Sequence, residues 1–321
     1  MLSKEKQELL NKIKEYEEKK LFDVDVNEDP KAPVLLLDKV DYECKKISNK
    51  IKRYIANFIA DRYFLRLIKK DVLVIDGIEN EHLIKDALKK GAIITCNHFS
   101  PFDNYIVFHC IRKYLPKKYL YKIIREGNYT NFPGLYGFFF RHCNTLPLSS
   151  NYHTMMKFFK SVNNLLTSGE SILIYPEQAM WWNYKKPRPF KIGAFKIAYK
   201  ANVPILPLFI SMKDDVRLDE DGYPIQRHTL HVMEPIYPNK ENKEKEETNN
   251  LMEKTYKMYK DKYEEVYQEE LIYARWAHPT RPFAPPASRL HCRQSRVPPL
   301  GRRGTSPAFP HNARFPPFRR D

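Results

Sequence analysis

An α/β fold, with a largely parallel central sheet flanked by helices and preceded by an N-terminal helical segment, is what three features of the sequence predict. Between residues 72 and 210, short apolar runs recur, each bounded by turn residues. Runs without polar alternation are strands buried on both faces, as in a parallel sheet. Stretches of helical periodicity separate them, and strand–helix alternation is the pattern of α/β layering. Residues 3–20 and 51–70, in contrast, read as helices.

The elements follow in order. Residues 3–20 mix Lys and Glu and read as a short charged helix, followed by an acidic linker through Asp23, Asp25, Glu28, Asp29, Pro30 and Pro33, together a loosely attached arm. From Ile51 to Lys70, Ile51, Tyr54, Ile55, Phe58, Ile59 and Tyr63 fall at helical spacing among Lys50, Lys52, Arg53, Arg62, Arg66, Lys69 and Lys70. This basic amphipathic helix either packs on the domain with its basic face solvated or lies on a membrane surface. Strands are expected at Val72–Ile75, Ala92–Cys96, Tyr119–Ile124, Ser171–Tyr175 and Val203–Ile210. Helices are expected at Asn80–Lys90, Pro101–Lys113, Asn151–Thr167, which Gly169 is placed to stop, and Gly193–Ala201. Thr229–Pro238 reads as a last strand, Lys240–Thr248 as a charge run, and Leu251–Tyr273 as a polar helix with Tyr256, Tyr259, Tyr263 and Tyr267 on one stripe. The expected organisation is a helical region over 1–70, an α/β domain over 71–238, a charged linker and helix over 239–274, and a tail over 275–321.

Composition narrows the function classes. The 321 residues carry a net charge of +16, and 42% are hydrophobic. That suits a soluble or peripheral protein. No uncharged run, Gly127 to Phe140 included, reaches the roughly 18 apolar residues of a spanning helix. The charged first twenty residues lack a secretory apolar stretch, so export is not expected. Cys44, Cys96, Cys110, Cys143 and Cys292 form no C-x-x-C pair and read as reduced thiols. Much of the basicity is concentrated in the tail, where ten Arg and ten Pro accompany a single acid and no Lys. Arg, Pro and Ala use GC-rich codons, whereas the Lys, Ile, Tyr and Asn of the body use AT-rich ones. We read the tail as foreign to the body, from a frameshift, a vector or a fused fragment. The competing reading is a basic arm for lipid or nucleic acid.

The chemistry concentrates where Gly91–Cys96, a buried strand, ends in Asn97-His98-Phe99-Ser100-Pro101-Phe102-Asp103. Sites in α/β proteins gather at such strand ends. His98 and Asp103, five apart, would point to different faces of one continuous helix, so His98 precedes the helix. Ser100 then suits the N-cap, Pro101 the first helical position and Asp103 the third, which brings the carboxylate to the imidazole. The same residues also spell a capping box, in which Asp103 need only bond the N-cap amide. The spacing leaves both readings open.

Further segments carry a family resemblance. Asn97, His98, Ser100 and Asp103 match the Asn-His-x-Ser-x-x-Asp block of the glycerolipid acyltransferases. Tyr175-Pro176-Glu177-Gln178-Ala179-Met180 resembles their Phe-Pro-Glu-Gly-Thr-Arg block, and Val203-Pro204-Ile205-Leu206-Pro207 their Val-Pro-Ile-x-Pro. Lys191-Ile192-Gly193-Ala194 is similar to their Lys-x-Gly-Ala segment. The blocks run in family order from about Asp71 to about Pro238. Two family arginines are missing: Cys143–Leu148 offers none, and Met180 stands where the other is expected. Replacement cations lie at Arg141 and at Lys185, Lys186, Arg188 and Lys191, with Arg188 and Arg141 first because a guanidinium grips phosphate bidentately.

The resemblance implies an acyltransferase that moves a fatty acyl group from acyl-CoA or acyl-carrier protein to a lysophospholipid hydroxyl, lysophosphatidate to phosphatidate. His98 is then the general base and Asp103 its orienting partner, while Asn97, Ser100, Glu177, Arg188, Lys191, Arg141 and Gly193 serve the substrate. No metal or other cofactor is implied. Glycerol 3-phosphate or an uncharged lysolipid is an alternative acceptor, and a non-catalytic membrane- or nucleic-acid-binding protein a weaker alternative. Nucleic acid is not expected as a partner, because the aromatics lack the spacing of an RNA-binding sheet. The protein is expected in the cytoplasm, peripherally held to the inner face of the cell membrane, with helix 51–70 and Trp181-Trp182-Asn183-Tyr184 as contacts. The tryptophans would otherwise line an acyl tunnel.

Overall fold

The computed structural model describes residues 2–26 and 31–273. Glu28, Asp29, Pro30 and the whole tail from 275 lie outside the described residues. Seven strands, β1 (Val74–Glu79), β2 (Ile93–Thr95), β3 (Tyr121–Ile124), β4 (Thr145–Pro147), β5 (Ile172–Ile174), β6 (Ile205–Leu218) and β7 (Pro224–Val232), form one sheet in the order β1-β7-β6-β2-β5-β3-β4. All neighbours are parallel except β6 and β7. The largely parallel α/β sheet expected from the sequence is present.

Period-two geometry explains why the central strands read as unbroken apolar runs. Ile94, Leu173 and Leu206 stand in register and join one core cluster, with Ile106, Val107 and Leu88. Their neighbours Ile93, Ile172 and Ile205 turn the other way into a second cluster with Phe158, Val162 and Phe195. Helices α3 (Ile84–Leu88) and α4 (Asp103–Ile111) thus cover one face, and α7 (Tyr152–Thr167) and α8 (Gly193–Ala201) the other. Asn151 caps α7 through its side chain, 3.1 Å from Thr154 N, and Gly169 at φ +85° follows its end.

Several boundaries differ from the sequence reading. β6 runs eight residues past Ile210, and β7 begins at Pro224 rather than Thr229, because the polar stretch 211–218 satisfies its backbone by antiparallel pairing with β7. Helix α9 (Glu244–Tyr267) starts inside the supposed charge run, where Glu244, Glu246 and Glu247 favour a helix N-terminus. Two short helices, α5 (Glu126–Thr130) and α6 (Gly134–His142), fill the uncharged run 127–140.

The N-terminal arm is not loosely attached. Helix α1 (Lys4–Glu18) buries Ile13 and Glu17, and Tyr16 and Phe22 pack on the indole of Trp181. Helix α2 (Ile47–Lys69) is present but turned the other way round from the packed reading. Up to Asp61 its protein side carries polar groups beside the buried Ala56: Arg53 donates to the Tyr121 hydroxyl (3.1 Å), Asn57 accepts from Asn144 (2.9 Å) and Asp61 accepts from the Tyr105 hydroxyl (2.7 Å), whereas beyond it Tyr63, Phe64, Leu67 and Ile68 pack on the core. The apolar stripe faces outward, with Ile47 75%, Tyr54 67% and Phe58 52% exposed. Among the described residues no helix is long and apolar enough to cross a membrane.

Candidate active site

His98 lies just past the C-terminal end of β2, and Tyr175 and Glu177 just past that of β5, its neighbour. The imidazole Nδ1 is 2.7 Å from Asp103 Oδ2. Asp103 is fully buried, and the same oxygen accepts from the backbone N–H of Phe99 (3.2 Å) and Ser100 (3.3 Å), while Oδ1 accepts from the Tyr175 hydroxyl (2.6 Å). The two sequence readings were therefore not rivals. The bond from Ser100 N is the reciprocal half of a capping box, and the dyad uses the same carboxylate. Helix α4 begins only at Asp103, not Pro101, and the Ser100 hydroxyl accepts from Phe102 N (3.2 Å) in the turn before it. Ser100 thus shapes the turn and is not placed for substrate.

With Nδ1 held by the carboxylate, the reactive nitrogen is Nε2. The imidazole stacks on Tyr175, ring centroids 4.0 Å apart and planes at 14°, and keeps 22% of its side chain exposed. Ring and carboxylate are therefore both fixed, while one edge stays accessible. Burial first, and the Asp103 charge next, push the Tyr175 phenol far up, so it serves as a neutral donor. Burial, with Asp103 and Glu177 behind it, likewise raises Cys96, 0% exposed beneath the turn, so this thiol is no nucleophile.

The backbone of His98 is gripped by the loop 177–188. Its N–H donates to Glu177 Oε2 (3.2 Å), and its carbonyl accepts from Trp181 N (3.3 Å) and Arg188 Nη2 (3.2 Å). Here the structure corrects two assignments. Arg188 is only 1% exposed, its Nη2 is 2.6 Å from Glu177 Oε2, and it also donates to the carbonyls of Phe22 (3.1 Å) and Ala179. Glu177 Oε1 accepts from Arg188 N (3.0 Å). Both charges are consumed in an internal clamp that positions His98, so neither is open to an acceptor phosphate. Trp181 is buried under α1, with Nε1 bonded to Val24 O (2.9 Å), and so neither meets a membrane nor lines a tunnel.

Three other expected site residues move as well. Asn97 makes two hydrogen bonds to Ile210, its Nδ2 donating to the carbonyl at 3.0 Å and its Oδ1 accepting from the backbone N–H at 2.8 Å, and so locks the end of β2 to β6 rather than touching substrate. Arg141, on α6, donates to the carbonyls of Tyr129 and Phe132 and lines a cavity shared with Tyr121, Asn144 and Thr145, at the starts of β3 and β4. His98 sits beyond strand ends, so Arg141 is not brought to the dyad. Gly193 opens α8, where an added Cβ would meet open space.

Lys191 remains at the surface, paired with Asp23 at 2.7 Å. The sequence reading missed Arg125, which follows β3 as His98 follows β2 and pairs with Asp25. The strand-end rule applied to His98 would have found it. Asp25 also accepts from Met180 N (3.3 Å). The acidic segment 23–25 thus lies across both cations, and the Lys191 ammonium, with Asp23's own backbone, holds the Asp23 carboxyl below its usual range.

Residues 75–211 match the model of the Acyltransferase family. The chain carries an acyltransferase-family domain. That span runs from β1 into the first half of β6 and so contains the dyad, the Glu177–Arg188 clamp and Lys191. Among solved structures the chain is similar to the 1-acyl-sn-glycerophosphate acyltransferase PlsC from Thermotoga maritima, at 20% identity over 72% of this chain and 87% of that one, with a TM-score of 0.49. No curated protein matches it.

Proposed function

We propose that this acyltransferase transfers a fatty acyl group from acyl-CoA or acyl-carrier protein to the hydroxyl of a lysophospholipid, lysophosphatidate first. The observation that carries the reading is the His98–Asp103 dyad, buried on its carboxylate side and open on its imidazole side. Nε2 of His98 takes the proton of the acceptor hydroxyl as its oxygen attacks the thioester carbonyl. Asp103 keeps Nδ1 protonated and stabilises the imidazolium. Collapse of the tetrahedral intermediate expels the thiolate, which the imidazolium protonates, giving ester and free thiol. These steps need no metal. Incubation of the purified chain with acyl-CoA or acyl-carrier protein and a panel of lysolipids, followed by lipid mass spectrometry, tests the reading. Free fatty acid without new ester would replace it with a thioesterase.

With Arg188 closed in, the acceptor phosphate falls to Lys191 and Arg125, displacing Asp23 and Asp25. A phosphate carries more charge than a carboxylate and can bridge both cations. Lys191→Ala is expected to raise the acceptor KM by about 10- to 100-fold, from the loss of one charge-assisted contact, with the donor KM little changed. Asp23→Asn, which removes the competitor, should lower it. Unaltered acceptor KM in both variants, or preference for an uncharged monoacylglycerol, would remove the phosphate from this site.

The acceptor is an amphiphile, so the enzyme has to reach a lipid surface at the inner face of the membrane. The outward stripe Ile47, Ile51, Tyr54, Ile55 and Phe58, beside the exposed Lys50 and Arg62, suits interfacial insertion. At about 1.5–3 kcal/mol per buried apolar side chain, Ile51→Asp with Phe58→Asp should cut flotation with anionic liposomes by more than about 100-fold. Flotation that survives the pair would place the contact elsewhere.

A further inference from the structure

The cavity that Arg141 lines belongs to no part of the chemistry above. It measures about 280 Å³ and opens between residues 39–44, α2, α6 and the starts of β3 and β4. Neither His98 nor Asp103, Glu177 or Lys191 borders it. Lys52, Arg53, Arg141 and His142 line it against one carboxylate, Asp41. That carboxylate is already engaged: Oδ1 accepts from Lys45 N (3.0 Å), and Oδ2 from Lys46 N (3.0 Å) and the Asn49 amide (2.9 Å).

The cations, by contrast, have no acid to answer them. Arg53 gives Nη1 to the Tyr121 hydroxyl and lies over the ring of Tyr119, 4.4 Å from its centroid. Its buried Nε has no hydrogen-bond partner. Arg141 spends Nη1 on two carbonyls. Among the described residues neither arginine, nor Lys52, is paired with a carboxylate. Elsewhere on this chain arginines find acids: Arg112 with Asp61, Arg188 with Glu177, Arg217 and Arg227 with Asp215. Burial, then Lys52 and Arg141, depress the His142 imidazole, which agrees with an uncompensated positive field in this concavity.

We propose that this cavity is a second anion site, for a phosphate ester. Two guanidiniums and an ammonium converging on one concave space suit a phosphate better than a carboxylate, which two donors would satisfy. At about 30 Å³ per water, the volume holds roughly nine waters, more than inorganic phosphate needs, so the ester's alcohol enters as well. The ester is either a soluble one, such as glycerol 3-phosphate, or the headgroup of an anionic lipid reached from the outward stripe of α2.

Full-length protein carrying Lys191→Ala, which removes one of the two acceptor cations, provides the test. One arm titrates glycerol 3-phosphate by calorimetry; the other measures binding to phosphatidylcholine vesicles with and without phosphatidylglycerol. Saturable binding in the first arm identifies a soluble ester, and phosphatidylglycerol-dependent binding in the second a lipid headgroup. In either arm Lys52→Gln and Arg53→Gln should each weaken binding by at least about 10-fold. Lys52 is exposed, so its loss cannot be ascribed to misfolding should Arg53→Gln fail to fold. No binding in either arm, or binding unchanged by Lys52→Gln, overturns the proposal. Acyl transfer by the Lys52→Gln enzyme, assayed on soluble substrates, tests the dyad separately.

Discussion

His98→Ala is expected to abolish acyl transfer, lowering kcat by roughly 10²–10⁴-fold, while the melting temperature stays close to that of the parent. The two halves of this expectation rest on different bonds. Activity goes because the group proposed to take the acceptor proton is removed. Stability remains because the bonds that hold this turn are backbone ones: His98 N–H to Glu177, and His98 carbonyl from Trp181 and Arg188. The buried Asp103 is not stranded either, since the Tyr175 hydroxyl and the N–H groups of Phe99 and Ser100 still donate to it. Asp103→Asn cannot make the same separation. Its amide nitrogen must either face the N–H donors of Phe99 and Ser100 or turn to the Tyr175 hydroxyl, which then gives up its own donation, so activity and stability should fall together. Steady-state assays beside thermal melts of the two variants check both. Near-parental turnover in pure His98→Ala would remove the dyad from the mechanism.

What was legible in the sequence, and what was not, follows from the range of the interactions. β2 and β5 announced themselves because each is buried on both faces, and His98–Asp103 because its partners lie five residues apart. β4 is three residues long and ends in Pro147, too little to carry a pattern. In α2 the spacing showed which residues share a face but not which way that face looks. Arg53, Asn57 and Asp61 bind the domain because Tyr121, Asn144 and Tyr105, far off in sequence, supply the partners. The same limit misled the reading of Arg188. A basic residue in a loop rich in lysine looks like a ligand for an anion. Only the fold brings Glu177, His98 and Phe22 around it.

Arg188→Ala, accordingly, should behave as a folding defect rather than a substrate-binding defect. Removing one member of a buried, hydrogen-bonded ion pair costs about 3–5 kcal/mol, mostly because the other charge is left in low dielectric. Glu177, 2% exposed, would keep its bonds to the N–H groups of His98 and residue 188 but lose the guanidinium that neutralises it. The carbonyls of Phe22 and Ala179 would lose a donor too, which loosens the strap 22–25 and α1 with it. For a chain of this size the melting temperature should fall by on the order of 10 °C. Glu177→Gln with Arg188→Met, which removes both charges while keeping much of the volume, should recover a large part of that loss, and the double-mutant cycle gives the coupling. Activity should fall in Arg188→Ala through kcat, because His98 loses its backbone anchor, more than through the acceptor KM. A variant that melts like the parent and shows only a raised acceptor KM would reverse this assignment and make Arg188 the phosphate ligand.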